Sequence, residues 1–339
     1  MSVRVLNSEM QELGEGPHWD PVNGRLIIVD IDGRAVKFIN PVNGDITEKH
    51  QFDDKVGAAI PYAADPSLLV VAVGNRLVKY DSIKRETLET IVDVSDYEKG
   101  VRTRINDAKC DPYGRIVFGT MVYELSGGTF PENIGKLFSY SGSNGLKVLL
   151  EDVSLSNGLA WTRDNKTFFY IDTAPARTLT AYDYSEDGNI SFRATGPLDK
   201  YLLEIVVAVG APSDHLLPHG VRSLANGRVL VDFKLDKWDG MGNLDGMTID
   251  VQDNLWVALF GGSRVLHIDS RDGKLLSQVR IPSLNTTSVC FGGADLSTLF
   301  VTSAGRHNVP EGLQEAQGGN TFAVTDLGTK GRLAVGFAG

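Results

Sequence analysis

Short apolar segments alternate with turn residues along the whole chain. Apolar segments such as 26–30, 116–119 and 167–172 each follow a turn rich in Asp, Asn, Pro or Gly, and each precedes a further alternating segment. Segments of this length, bounded by such turn residues, are typical of β-strands rather than helices. The 37 glycines and 13 prolines are spread over the chain, which agrees with many strands joined by tight turns.

One unit recurs along the chain: an apolar strand, a turn and a second apolar strand. Most copies begin about 40 to 50 residues apart, which is the period of four-stranded propeller blades. The copies begin at Gly16, Ala59, Ala108, Gly158, Gly246 and Ser288. We therefore predict one all-β domain over residues 1–339, a six-bladed β-propeller with a divalent metal in its central channel. A generic β-sandwich is the alternative, but six similar units need a radial arrangement to be buried equally.

The spacing between the fourth and fifth copies is about twice the usual one, which predicts an insertion at about 197–233. Asp214, His215 and His219 in this range suggest a metal site, but Pro218 argues against a helix that would place both histidines on one face. A surface loop or an additional hairpin is the preferred interpretation.

The two ends of the chain carry strand patterns, at 3–6 and 321–325. In a propeller, such ends can pair within one blade and close the ring, which removes exposed strand edges. We therefore expect the first and last strands to share a blade.

Charge and cysteine content exclude several classes of protein. The net charge of −10 argues against a nucleic-acid-binding face, because phosphate contacts need clustered Lys and Arg. The two cysteines and an N-terminus without an apolar stretch predict a cytoplasmic protein without a signal peptide. The longest apolar stretch, 201–209, is too short to span a bilayer, so no membrane partner is expected. The sequence leaves the oligomeric state open.

Four inner strands begin with an oxygen-bearing side chain at the same phase of the repeat. These residues are Glu15, Asn106, Asn157 and Asp245. Equivalent positions point towards the propeller axis, and carboxylate and amide oxygens suit Ca²⁺, Mg²⁺ or Mn²⁺ better than a structural zinc site. The alternative is that Glu-Gly, Asn-Gly and Asp-Gly are simply turns.

Two neighbouring side chains have open roles. Arg104 lies two residues before Asn106, on the same side of an extended strand, and would bind a substrate oxygen or form a structural salt bridge. His18 is interpreted as a core histidine or as a group that orients a metal ligand.

At these residues the sequence resembles the regucalcin, gluconolactonase and luciferin-regenerating enzyme family, which includes the senescence marker proteins. The resemblance covers nearly the whole chain apart from the insertion. It rests on the segments 14–19, 104–107, 119–121, 156–161, 245–250, 254–258 and 287–293. Two departures are Ala108, where the family commonly has glycine, and the insertion before Asp245.

The resemblance implies a metal-dependent lactonase that acts on small sugar lactones. It implies one divalent ion, with Ca²⁺, Zn²⁺, Mn²⁺ and Mg²⁺ all open, bound by Glu15, Asn157 and Asp245. The metal would polarise the carbonyl, and Asp245 would act as the general base. The positions that match substrate contacts in lactonase members are Arg104, Asn106 and Glu124.

Other functions fit the same residues. A phosphotriester hydrolase would use a similar set of carboxylates and amides, and a luciferin-regenerating enzyme would hydrolyse a nitrile. A non-catalytic calcium-binding or regulatory protein would hold the metal without turnover. Arg104 favours a polar, hydroxylated substrate.

Overall fold

The computed structural model describes residues 1–98, 100–123, 131–191, 227–305 and 317–339. These ranges hold 25 β-strands and two single-turn 3₁₀ helices, Ser95–Tyr97 and Asp236–Trp238. The strands form six antiparallel sheets, and the inner strand of each sheet contacts the inner strands of both neighbouring sheets in a closed ring. The predicted six-bladed β-propeller is therefore confirmed. None of the helices in the described ranges is long and apolar enough to cross a membrane.

The strands are numbered in chain order and fall into four layers from the channel outwards. The inner strands are β2 (Gly14–Asp20), β6 (Val56–Pro61), β10 (Thr103–Cys110), β14 (Ser156–Trp161), β19 (Asn243–Ile249) and β23 (Thr286–Gly292). The second strands are β3 (Arg25–Asp30), β7 (Leu68–Val73), β11 (Ile116–Val122), β15 (Thr167–Asp172), β20 (Leu255–Phe260) and β24 (Thr298–Ser303).

The third strands are β4 (Ala35–Ile39), β8 (Arg76–Asp81), β12 (Gly135–Ser141), β16 (Thr178–Tyr184), β21 (Arg264–Ile268) and β25 (Thr321–Thr325). The outer strands are β1 (Ser2–Asn7), β5 (Ile46–Gln51), β9 (Glu86–Asp93), β13 (Gly145–Val153), the pair β17 (Ile190–Ser191) and β18 (Arg228–Asp232), and β22 (Leu275–Arg280).

The ring closes within the sixth blade, as the strand patterns at the two ends predict. The first strand, β1, pairs antiparallel with β25, and Ser2 faces Thr325 in the register. The sixth blade therefore combines three strands from the C-terminal part of the chain with one from the N-terminus. This pairing covers the strand edge that each end would otherwise expose.

The hydrophobic core is divided into packets between neighbouring blades. Between blades two and three, Phe118 and Phe138 stack at 5.3 Å between ring centroids, and they pack with Ile60 and Val70. Five further clusters join the other neighbouring pairs of blades. Each blade therefore buries both of its faces, which explains why strands such as β3 and β11 read as nearly continuous apolar runs.

The outer edge of blade four consists of two short strands on one partner. Strand β17 pairs with β16 at Asp183 and Tyr184, whereas β18 pairs with β16 from Ala181 to Thr178. Strands β17 and β18 therefore share one edge of β16, although residues 192–227 separate them in the sequence. Residues 228–232 of the predicted insertion belong to the sheet, while Asp214, His215 and His219 lie outside the described residues.

The C-terminal segment 326–339 crosses the face of the propeller where the inner strands end. Gly331 forms a bridge with Asp250, which directly follows β19, and Arg332 donates to the carbonyl of Trp161, the last residue of β14. Further on, Phe337 forms a bridge with Tyr62, which directly follows β6. This face is therefore opposite to the end of the channel where the predicted ligand residues begin the inner strands.

Candidate active site

The inner strands share an irregularity that aims side chains into the channel. In each one the register with the second strand shifts at the same place, for example between Glu15 and His18 and between Leu244 and Met247. A bulge leaves residues without a partner in the ladder and redirects their side chains, and bulges are common beside active sites. Asn106 and Asp245 lie within such bulges, and Glu15 and Asn157 lie directly before them.

The repeated position carries different residues in the two remaining blades. Blade two has Gly57, where an added Cβ would lie 2.5 Å from the carbonyl oxygen of Ile105, so no side chain fits there. Blade six has Thr287, whose hydroxyl donates to the carbonyl of Gly14, directly before Glu15. The repeated position therefore carries a candidate ligand oxygen in four blades, whereas in the other two blades it only contacts neighbouring backbone.

The glycines that follow the predicted ligands serve packing rather than turns. A Cβ on Gly246 would lie 2.1 Å from Ser288 Oγ, and one on Gly158 would lie 2.9 Å from the carbonyl oxygen of Asp245. Both glycines lie inside inner strands that closely approach the neighbouring blade. The alternative that these dipeptides are ordinary turns is therefore wrong.

A cavity of about 610 Å³ lies at this end of the channel. Its lining includes every predicted site residue within the described ranges, namely Glu15, Arg104, Asn106, Asn157 and Asp245. All five are buried, with exposed fractions from 3% for Asn157 to 8% for Glu15. Glu124, the remaining predicted substrate contact, lies outside the described residues.

Three polar side chains of the cavity, Arg104, Asn106 and Asn157, are joined in one hydrogen-bond network. Arg104 Nη1 donates to Asn106 Oδ1 at 2.7 Å, and Asn106 Nδ2 donates to Asn157 Oδ1 at 2.9 Å. Arg104 thus orients Asn106, and its buried Nε–H has no hydrogen-bond partner among the described residues.

Burial and mutual repulsion disfavour the charged forms of the carboxylates. Burial, followed by the charge of Asp107, raises the pKa of Glu15 from 4.5 to about 8. Burial, followed by the charges of Glu15 and Asp107, raises the pKa of Asp245 well above its usual range. Burial also lowers the pKa of Arg104. Three acidic groups close together in a buried site would be stabilised in their charged form by a cation.

The donor set of the cavity fits a hard divalent cation. Glu15 and Asp245 supply carboxylate oxygens and Asn157 supplies an amide oxygen, which are the ligands that Ca²⁺, Mg²⁺ and Mn²⁺ prefer. Within the described ranges, no group of three or more His, Cys, Asp and Glu side chains is arranged to hold a metal. A site here therefore depends on the amide oxygen of Asn157 to complete the protein ligands.

Sequence reasoning missed several residues of the cavity. Lys55 Nζ forms an ion pair with Asp32 at 3.0 Å, and both side chains are about one-fifth exposed in the lining. Tyr123 and Thr173 also line the cavity. Asp32, Lys55 and Thr173 lie next to the cavity-side ends of strands β3, β6 and β15, so the repeat phase that revealed Glu15 could have revealed them.

Deeper in the channel, two basic residues form a separate layer. Lys109 Nζ donates to the carbonyls of Met247 at 2.7 Å and Leu159 at 3.0 Å, and so ties blade three to blades four and five. Burial, followed by the charge of Lys109, lowers the pKa of His18 from 6.5 to about 4. His18 is therefore a neutral histidine of the channel interior at neutral pH.

The fold and the cavity define a class of six-bladed β-propeller protein that has buried carboxylate and amide side chains in a cavity at one end of its channel. The family model described as SMP-30/Gluconolactonase/LRE-like region matches residues 13–196 and 219–305. The chain belongs to this family, which confirms the resemblance seen in its motifs.

Similar proteins span the full length of the chain. Regucalcin of Danio rerio is 33% identical over 334 residues, which cover 98% of this chain and 96% of that protein. The "Putative sugar lactone lactonase YvrE" of Bacillus subtilis (strain 168) is 32% identical, with 96% of this chain and 95% of that protein covered. The solved structure of a luciferin-regenerating enzyme superposes with a TM-score of 0.81 at 30% identity, over 99% of this chain and 98% of that chain.

Proposed function

We propose that this protein hydrolyses small lactones, with sugar lactones as the leading substrates, and that a divalent metal assists the reaction. The observation that carries the proposal is the meeting of Glu15, Asn157 and Asp245 with Arg104 and Asn106 in one buried cavity. Family membership and the similarity to a protein named as a sugar lactone lactonase support it.

The proposed metal ligands are Glu15, Asn157 and Asp245. A divalent ion bound there would supply a Lewis acid that polarises the lactone carbonyl. The oxygen-only ligand set favours Ca²⁺, Mn²⁺ or Mg²⁺, and Zn²⁺ remains a candidate for the catalytic ion.

The remaining steps fall to side chains of the cavity. Asp245 takes a proton from the attacking water, which makes the water a better nucleophile as it approaches the carbonyl carbon. Arg104 lines the cavity, and its Nε–H, which has no hydrogen-bond partner among the described residues, donates to an oxygen of the substrate. Asn106, fixed by Arg104, helps to orient the ring, and Glu124 keeps the substrate-binding role that the resemblance implies.

The size of the cavity and an ion pair in its wall favour a hydroxylated ring as substrate. A volume of about 610 Å³ lies within the range of roughly 300 to 1,000 Å³ that is usual for small-molecule sites. The Lys55–Asp32 ion pair supplies a donor and an acceptor for ring hydroxyls. An unsubstituted lactone offers neither partner, so we expect it to be a poorer substrate.

The test is hydrolysis of D-glucono-δ-lactone by the purified protein, followed as proton release. The protein is first treated with a chelator, and Ca²⁺, Mn²⁺, Mg²⁺ or Zn²⁺ is then restored singly. We expect turnover well above the spontaneous rate only when a metal is restored. Equal rates with and without metal would contradict the metal-assisted mechanism, and no turnover with any metal would contradict the lactonase proposal.

A non-catalytic calcium-binding role is the second candidate. The raised pKa values of Glu15 and Asp245 favour cation binding in itself, whether or not a reaction follows. Tight Ca²⁺ binding without hydrolysis of any lactone in a panel would favour this role.

A further inference from the structure

Thr173 lies in the wall of the cavity between two of the proposed metal ligands. It directly follows β15, and its side chain is buried, with 6% exposed. Thr173 Oγ1 accepts a hydrogen bond from Asn157 Nδ2 at 2.7 Å and donates one to the carbonyl oxygen of Leu244, also at 2.7 Å. Leu244 directly precedes Asp245, so one hydroxyl connects the elements that carry two proposed ligands.

The hydrogen bonds around Thr173 form a chain that runs in one direction. At one end stands Arg104, which can only donate, so Asn106 must turn Oδ1 towards it and Nδ2 towards Asn157. At the other end stands the carbonyl of Leu244, which can only accept, so it takes the hydroxyl proton of Thr173. The hydroxyl oxygen is then left to accept from Asn157 Nδ2.

This chain of hydrogen bonds fixes the orientation of the side-chain amides of Asn106 and Asn157. Such orientations are otherwise ambiguous, because the oxygen and nitrogen of an amide have nearly the same shape. Here the fixed ends leave Asn157 only one orientation, with Oδ1 turned towards Asn106 at the cavity and Nδ2 turned away towards Thr173. Asn157 Oδ1 accepts only one hydrogen bond in this chain, from Asn106 Nδ2, so its second lone pair stays available to a metal ion.

We propose that Thr173 is a positioning residue, which holds the amide of Asn157 so that its oxygen is available to the metal. This inference rests on the metal site of the proposed function, but it does not depend on the substrate. A threonine hydroxyl can accept and donate at once, whereas valine has a similar shape and does neither. Thr173→Val therefore removes the hydrogen bonds from Asn157 Nδ2 and to the carbonyl of Leu244, and the amide of Asn157 is held only through its oxygen.

The experiment is calorimetric titration of Ca²⁺, and separately of Mn²⁺, into chelator-treated protein. We expect Thr173→Val to weaken metal affinity by about 10- to 100-fold, the range found when groups that orient metal ligands are removed. Thr173→Ser keeps the hydroxyl and should bind the metal within about 3-fold of the wild type. Thr173→Cys, a weaker donor and acceptor, should fall between serine and valine and replaces valine if that variant does not fold.

Tyr184→Phe is the matched control. Tyr184 donates a buried hydrogen bond to Asp111 Oδ2 at 2.6 Å, at the opposite end of the blades, so its removal costs a hydrogen bond without touching the cavity. Metal affinity should stay at the wild-type level in this variant.

Three results would overturn the proposal: wild-type affinity in Thr173→Val, a loss in Thr173→Ser as large as in Thr173→Val, or no metal binding by the wild type. Because the titration contains no lactone, normal metal binding without hydrolysis contradicts only the lactonase proposal. In the active protein, Thr173→Val should recover much of its kcat at high metal concentration, which a general loss of structure would not allow.

Discussion

The two ends of the channel use acidic residues in opposite ways. At the cavity end, Glu15 and Asp245 are buried beside another carboxylate, and their pKa values are raised. At the opposite end, Asp111 accepts from the backbone N–H of Arg115 at 2.9 Å and from its guanidinium at 2.6 Å. There, burial raises the pKa of Asp250, but the imidazole of His267 at 3.3 Å and hydrogen bonds from the Asn254 backbone and Trp256 outweigh it, and the pKa is lowered overall.

The difference separates an end whose aspartates are paired within the chain from the end at which we propose that a cation binds. At the opposite end, the turn aspartates bind backbone N–H groups, and the segment 326–339 packs across the face. At the cavity end, the backbone N–H of Gly16 and then Arg104 partly offset the charge of Glu15, and the backbone N–H of Gly246 partly offsets that of Asp245, but burial and mutual repulsion outweigh them. Burial of charge without enough partners is costly to stability, and it is common where a site binds a cation or performs chemistry.

The largest effect is expected when one aspartate at each end is made neutral. Asp245→Asn should lower lactone turnover by roughly 10²- to 10⁴-fold, because the general base is lost, and by more if the metal is lost too. Asp250→Asn should leave kcat per folded molecule within about 3-fold of wild type, since Asp250 lies at the far end of its strand.

Steady-state rates of lactone hydrolysis, corrected for the folded fraction, measure this contrast. Full turnover in Asp245→Asn would contradict the role of Asp245. A comparable loss of turnover in Asp250→Asn would contradict the separation of the two ends.

The C-terminal segment should contribute stability without affecting the site. Phe337 is 1% exposed, and its ring lies 5.0 Å from Tyr62 and 6.3 Å from Tyr140 between ring centroids. Phe337→Ala should lower the free energy of unfolding by about 3 to 5 kcal/mol, the usual cost of this change in a core. Urea unfolding measures the loss, and metal affinity serves as the control. A loss below about 1 kcal/mol would show that the segment is only loosely attached.

A smaller loss of stability is expected when the pH is lowered, because His18, which lies in the channel between the two ends, resists protonation in the folded state. Its pKa is about 4 in the folded protein against 6.5 otherwise, so the folded state binds fewer protons between these values. This contribution to stability is fully present above pH 6.5 and is lost as the pH falls towards 4. We expect a loss of about 2 kcal/mol, less than the full shift implies, because His18 is only partly shielded from water in the channel.

Unfolding free energies of the wild type and of His18→Gln between pH 7 and pH 4 test this effect. The variant lacks the titrating group, so its stability should fall less steeply over this interval. Parallel curves for the two proteins would contradict the assignment of a neutral, buried His18.

Much of the fold could be predicted from the sequence because its signals are local and repeated. Turn residues and apolar runs revealed all six inner strands, and the patterns at 3–6 and 321–325 predicted how the ring closes. The shared phase of the repeat also predicted that Glu15, Asn106, Asn157 and Asp245 lie close together. These inferences need only a regular period, since a propeller places equivalent positions at equivalent points around its axis.

The rest depends on contacts between distant parts of the chain. The sequence did not indicate that Thr173 reaches Leu244, or that Lys55 pairs with Asp32, because these pairings join different blades or loops. The sequence did not predict that β18 belongs to blade four, because a long segment separates it from β17 in the sequence, although both strands pair with β16. The sequence identified Asp107 only as part of a motif. Its proximity to the other carboxylates depends on how the bulges redirect side chains, which the sequence does not show.

The most direct test of the account is an anomalous difference map from crystals of the protein soaked in Mn²⁺. We predict one strong peak in the cavity, within about 2.0 to 2.6 Å of oxygens of Glu15, Asn157 and Asp245, with Asn106 Oδ1 still turned towards Arg104. A peak bound by other residues, or an ordered cavity without a peak at saturating Mn²⁺, would contradict the claim that the unpaired acidic end of the channel is a metal site.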